Sequence, residues 1–227
     1  MATLDTAARV PEIRSMQIET MVVGPYEVNC YIASAAGGAE AVVIDPGAEA
    51  DAIAQHLCVA RLTPVAYLLT HGHADHIGGL EKMLAAFAAP VYVHAEEQRW
   101  AFLPRNALPP FYFPPRTPPK DQVTVSDGDE LHLAGLTFRV IATPGHTPGG
   151  VCYFAAQDQV VFTGDTLFQG TVGRTDLPGG DGRVLAQSLK KLAVLPPATR
   201  VYPGHGAAST IADEQRTNIY FRAPAGS

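Results

Sequence analysis

Short β-type apolar runs, most of them followed within a few residues by glycine, proline or aspartate, recur along almost the whole chain and constrain what it can fold into. "MQIETMVV", "NCYIAS" and "AVVID" lead to the turn "DPGAEA", after which "DAIAQHLC" has helical spacing. "VAYLLT" then reads as a buried strand, "GGLEKMLAAFA" as a helix, "PVYVH" as a strand and "AEEQRWAFL" as a short helix. The second half follows a similar order. "QVTVSDGDELHLAG" reads as two strands paired around a DG turn, followed by strands "LTFRVIA", "GVCYF" and "QVVFTG". The helix "VLAQSLKKLAVL", the short strand "RVYP" and a helix beginning near Ser209 complete it. The halves match in order of elements, not in letters. Strand runs punctuated by helices that can cover them predict an α/β protein of two packed sheets with helices outside.

The pattern fails between residues 103 and 120, where "LPRNALPPFYFPPRTPPK" carries seven prolines around Phe111, Tyr112 and Phe113. Proline removes backbone donors, so this stretch is a loop, and its aromatics predict a packed lid. With 227 residues and 47% hydrophobic composition, the chain is long enough to bury a core. One domain spanning 1–227 and including this lid is the expectation.

The net charge is -6, with no lysine or arginine run and no basic stripe interleaved with aromatics. That excludes nucleic acid and anionic lipid as expected partners. The first fifteen residues, "MATLDTAARVPEIRS", contain no apolar leader core, and no later apolar run approaches the roughly 18 residues of a membrane span. A cytoplasmic location is expected; no residue pattern selects an oligomeric state. Cys30, Cys58 and Cys152 are widely spaced, lack a CxxC pair and read as small core residues.

Against that background "LLTHGHADHIGG" stands out, with His71, His73, Asp75 and His76 within six positions. His56, His94 and His132 are isolated and read as ordinary histidines satisfied by one hydrogen bond. The clustered four lie at a strand's carboxyl end and in the turn that follows, where chemistry is commonly placed. Two histidines two apart in extended chain project to one side and can grip one ion; the Asp-His pair in the tightening turn can face another. Imidazole with carboxylate suits zinc, iron or manganese. Further ligands are expected at other strand ends, and His146 in "ATPGHTPGG", Asp165 in "VVFTGDTLF" and His205 in "RVYPGHG" occupy them, each beside glycine.

The ordered set HxHxDH, His146, Asp165 and His205, from "VVIDPG" to "PGHG", resembles the metallo-β-lactamase superfamily. The resemblance implies a four-layer αβ/βα sandwich with two divalent ions at one edge, zinc foremost, with iron or manganese as alternatives. His71, His73 and His146 would hold the first ion, Asp75, His76 and His205 the second, and Asp165 would bridge them. Asp45 matches a family acid that would orient a ligand. Asp75 and Asp165 are the expected catalytic carboxylates. Two cations about 3.5–4 Å apart share a water, lower its pKa and polarise a carbonyl.

The segment "GDTLFQGTVGRTDLPGGD" is similar to the glyoxalase II branch, hydroxyacylglutathione hydrolases, in short bacterial form without an added helical domain. The implied activity is hydrolysis of a small-molecule thioester, S-(2-hydroxyacyl)glutathione or a relative, by attack of a metal-bridged hydroxide. Arg174 falls at a basic substrate-binding position and Tyr153 at a strand tyrosine, whereas Asp176 stands where the branch has a tyrosine. Arg116 and Lys120 read as solvated surface cations. The alternatives are a mononuclear iron persulfide dioxygenase, in which His71, His146 and Asp165 would be the ligands, and a hydrolase of other small esters or lactones. A β-lactamase would usually carry cysteine in place of Asp165.

Overall fold

The computed structural model describes residues 15–221. The amino-terminal stretch read above as lacking a leader core lies, apart from Ser15, outside them. The first half contains β1 (Met16–Val23), β2 (Val28–Ala35), β3 (Glu40–Ile44), α1 (Ala50–Ala60), β4 (Thr63–Leu68), α2 (Ala74–Ile77), α3 (Leu80–Ala86), β5 (Val91–His94), α4 (Ala95–Gln98) and β6 (Gln122–Val125). The second contains β7 (Glu130–Leu133), β8 (Leu136–Ala142), β9 (Val151–Ala155), β10 (Val160–Gly164), β11 (Leu167–Phe168), β12 (Thr171–Val172), α5 (Gly182–Ala193), β13 (Arg200–Pro203), β14 (Ser209–Thr210) and α6 (Ile211–Thr217).

Two six-stranded sheets form, in the orders β1-β2-β3-β4-β5-β6 and β14-β13-β10-β9-β8-β7. The first is antiparallel from β1 to β3 and parallel from β3 to β6. Alternation along the strands creates the layers. In β2, Tyr31 and Ala33 face Phe138, Tyr153 and Phe162 of the other sheet, while Cys30 and Ile32 pack outward with Ile53 and Leu57 of α1 and Met83 of α3. On the far side, Leu185, Leu189 and Leu192 of α5 and Ile211 of α6 cover Cys152, Phe154 and Val161. The result is the four-layer αβ/βα sandwich. Among the described residues no helix is long and apolar enough to cross a membrane.

Helix α5 starts where Asp181 caps it, its carboxylate accepting from the N–H groups of Arg183 (2.8 Å) and Val184 (3.1 Å). Its leucines recur at helical spacing on the face toward the sheet, and Ser188 donates to the Pro144 carbonyl at 2.6 Å, tying α5 to the β8–β9 loop.

Two expectations are corrected. The strands around "SDGD" are not hairpin partners: β6 pairs with β5 and β7 pairs with β8. Asp129 accepts from Ser126 N–H and Asp127 from Ala142 N–H, so this turn carries the chain from one sheet to the other. Cys58 is exposed, unlike the buried Cys30 and Cys152. It follows Leu57, the inward residue of α1, and one helical step of about 100° turns it toward solvent.

The proline-rich stretch holds a single 3-10 turn, Pro104–Asn106. Its packing is selective, with Tyr112 1% exposed and Phe111 and Phe113 both 57% exposed. The Tyr112 hydroxyl accepts from Tyr26 N–H at 2.8 Å.

Candidate metal centre

Strands β3, β4, β8, β10 and β13 end at one edge of the sandwich, and the residues beyond those ends carry the donors. The chain leaves β4 through Thr70 to His71 and His73, then turns into α2 with Asp75 and His76. His146 lies in the β8–β9 loop, Asp165 directly after β10 and His205 just beyond β13. All seven predicted ligands are thereby brought together, although they span the chain from residue 71 to residue 205.

They form overlapping groups. Ligand atoms of His71, His73 and His146 lie within 4.8 Å of one another, as do those of Asp75, His76 and His205. Asp165 stands between the groups, with Oδ1 3.3 Å from His76 Nε2 and Oδ2 3.5 Å from His146 Nε2 and 3.6 Å from His205 Nε2. Gly204 leaves room for it, because a side chain there would fall against the Asp165 carboxylate.

The outer nitrogens of four histidines are occupied. His146 Nδ1 donates to the Arg174 carbonyl at 2.7 Å and His205 Nδ1 to the Tyr26 carbonyl at 2.8 Å. His76 Nδ1 donates to Asp45 at 3.0 Å. The Thr70 hydroxyl donates to Asp45 at 2.5 Å and accepts from His71 Nδ1 at 3.1 Å. With Nδ1 carrying the proton, the Nε2 of each ring in its neutral form presents a lone pair to the centre. Asp45 reaches these partners from a left-handed backbone, φ 50°, a conformation aspartate tolerates better than most residues.

A metal fits this donor set. His71 Nε2 is buried and, among the described residues, has no hydrogen-bond partner. His73 Nδ1 and His146 Nε2 face each other at 3.0 Å, and His76 Nε2 and His205 Nε2 at 3.3 Å. Burial and neighbouring imidazoles lower the pKa of His71, and burial and His146 lower that of His73 to about 4, so both are neutral ligands. The second group differs electrostatically. Burial opposes a charge on His76, but Asp165 and Asp75 raise its pKa well above the ordinary value. Burial would raise both carboxyls, yet His76 holds Asp75 and Asp165 below the usual range.

A scan against protein families matches residues 23–205 to the metallo-β-lactamase superfamily. The chain belongs to that superfamily. Within it, the chain is 35% identical to the hydroxyacylglutathione hydrolase GloC of Haemophilus influenzae, over 90% of this chain and 98% of that one. It is 37% identical to the probable metallo-hydrolase YqgX of Bacillus subtilis, over 90% and 97%. Among solved structures of this superfamily, the BLEG-1 B3 metallo-beta-lactamase superposes with TM-score 0.84 at 37% identity, covering 91% of this chain and all of that one. TTHA1623, in a di-iron-bound form, superposes with TM-score 0.77 at 39% identity, over 89% and 99%.

The two predicted substrate residues fare differently from the ligands. The Tyr153 side chain is fully buried between the sheets and its hydroxyl donates to the Leu69 carbonyl at 2.9 Å. It steadies the strand end from which the His71 loop departs. Arg174 is exposed and pairs in bidentate fashion with Asp176, both contacts 2.7 Å. Its carbonyl, not its guanidinium, touches the ligand set. Arg116 and Lys120 are exposed. Sequence reasoning missed Thr70, whose position directly before HGHADH was the available signal. It also missed Glu97 and Asn106, which reach the centre only through backbone groups of distant glycines.

Proposed function

We propose that the protein is a dinuclear metal-dependent thioesterase acting on S-(2-hydroxyacyl)glutathione or a closely related thioester. The observation that carries this reading is the convergence of seven ligand side chains in which both carboxylates are already engaged with imidazoles. His71, His73 and His146 would hold one ion, Asp75, His76 and His205 the other, with Asp165 between them. When bound, zinc, or iron or manganese in its place, supplies an acidified water and a Lewis acid beside the substrate carbonyl.

The chain's own residues keep the donors in register. Asp45, the Thr70 hydroxyl and the Arg174 and Tyr26 carbonyls fix the imidazole tautomers, so no ring must reorient as the reaction proceeds. Asp75 Oδ2 lies 3.6 Å from His205 Nε2, where it would serve as a ligand of the second ion and would not be free to protonate a departing amine. A thiolate, whose parent thiol has a pKa of about 8.5, departs without that proton. The GloC relative supports this substrate class.

A second reading, β-lactam hydrolysis, is supported by the likeness to BLEG-1 and opposed by the need to protonate an amine. The discriminating experiment supplies zinc-, manganese- and iron(II)-loaded enzyme with S-lactoylglutathione, a chromogenic cephalosporin and glutathione persulfide, the last under an oxygen electrode. Thioester loss well above the other two activities is expected. Faster cephalosporin opening would establish the second reading, and oxygen uptake on the persulfide would establish a dioxygenase.

A further inference from the structure

Glu97 is completely buried, follows β5 in the one-turn helix α4 and belongs to no ligand group. Its two carboxylate oxygens are spent on two loops. Oε2 accepts from Gly72 N–H and Oε1 from Gly149 N–H, both at 2.7 Å. Gly72 is the residue between His71 and His73, and Gly149 lies three residues beyond His146. The carboxylate therefore links the two chain segments that carry the whole first ligand group.

The close approach depends on both contact residues being glycine. A Cβ on Gly72 would lie 2.9 Å from Glu97 Oε2 and 2.5 Å from Ala101 Cβ; a Cβ on Gly149 would lie 2.9 Å from Glu97 Oε1 and 2.7 Å from His94 Nδ1. The Gly72 peptide is also held from its other side, because Asn106 Nδ2 donates to the Gly72 carbonyl at 2.7 Å and to the Ala101 carbonyl at 2.7 Å. Asn106 is 8% exposed and belongs to the proline-rich stretch. Trp100, one turn after Glu97, packs its ring edge-on to His73 with centroids 5.4 Å apart.

The supports of the other group come from elsewhere: Asp45 after β3 holds His76, and the Tyr26 carbonyl holds His205. We infer that Glu97, seconded by Asn106, is a positioning residue of the His71–His73–His146 group and not of the other, whereas Asp45 serves both, reaching His76 directly and His71 through Thr70. This rests on the dinuclear reading above. Glu97 touches neither ligand nor substrate; it sets where three imidazoles stand by fixing the peptides between and behind them.

The test uses full-length metal-free protein at pH 8, titrated with zinc against a chromophoric chelator, and then with cobalt(II) followed by its visible absorption. Glu97→Gln keeps the shape but points an NH2 group at one of the two N–H donors. Wild type should bind two ions. Glu97→Gln should bind one ion with affinity unchanged within about twofold and the other about 10–100-fold more weakly, with an altered cobalt(II) band for that ion only. Asn106→Ala, which leaves the carboxylate in place, should weaken the same ion to a smaller degree. The inference is overturned if wild type binds two ions and the variants bind both with native affinity, or lose both equally. Wild type that binds fewer than two ions would overturn the dinuclear reading itself.

Discussion

Asp45 and His76 are joined through Nδ1 at 3.0 Å, and the opposite nitrogen of the same ring lies 3.3 Å from Asp165. One buried imidazole thus sits between two carboxylates, one fixing its tautomer and one sharing its side of the centre. Asp45 also accepts from Thr70 N–H at 2.8 Å and from the Thr70 hydroxyl, so it steadies His71 as well. Asp45→Asn keeps the size and tolerates the left-handed backbone, but replaces one acceptor oxygen with a donor. Zinc affinity should fall about 10–100-fold, read by competition with a chelator. Native affinity would mean that the tautomer is held without Asp45.

Tyr153→Phe should lower stability by about 1–3 kcal/mol, because the Leu69 carbonyl loses its buried donor. KM should remain at its native value. Denaturant unfolding beside steady-state kinetics checks both, and a raised KM at native stability would establish Tyr153 as a substrate residue.

Arg174→Ala should raise KM for an anionic thioester with little change in kcat, the pattern of lost uniform binding. Its carbonyl, which accepts from His146, survives the substitution. Unaltered kinetics would leave Arg174 with only its Asp176 partner.

Burial pushes the Glu97 carboxyl up to about 7 from an ordinary 4.5, against the pull of its N–H donors. The folded chain then keeps a proton that the unfolded chain releases. This contribution to stability is complete below pH 4.5 and is lost as the pH rises through 7. Metal-free wild type should therefore lose on the order of 3 kcal/mol relative to Glu97→Gln across that window. Parallel stability curves for the two proteins would show an unshifted carboxyl.

Cys58 is exposed, whereas burial raises the pKa of Cys30 and pushes that of Cys152 up to about 11. An aromatic disulfide reagent should modify one thiol per native chain and three after denaturation. Modification of all three in native protein would contradict the packing of β2 and β9.

Legibility in the sequence followed the range of the interaction. His71, His73, Asp75, His76, His146, Asp165 and His205 could be read because each is a ligand-type residue at the end of an apolar run, and strand ends at one edge collect such residues. The sandwich could be read because β2, β9 and β10 are apolar on both faces, as strands covered twice must be. The parting of β6 and β7 could not, since two alternating strands around DG look the same whether they pair with each other or with different sheets. The burial of Tyr153 was not foreseen, because strand alternation sends it between the sheets toward Phe162. Glu97 and Asn106 were invisible for a different reason: each acts on a peptide group 25 and 34 positions away, where no side chain marks the contact.

The most direct measurement is thioester hydrolysis followed while metal-free protein is titrated with zinc. The account predicts that the rate rises steeply with the second equivalent and saturates at two ions per chain, and that Asp165→Ala neither retains both ions nor hydrolyses the thioester. Full activity at a single equivalent, or an Asp165→Ala variant with native metal content and rate, would contradict a centre in which Asp165 joins two ions.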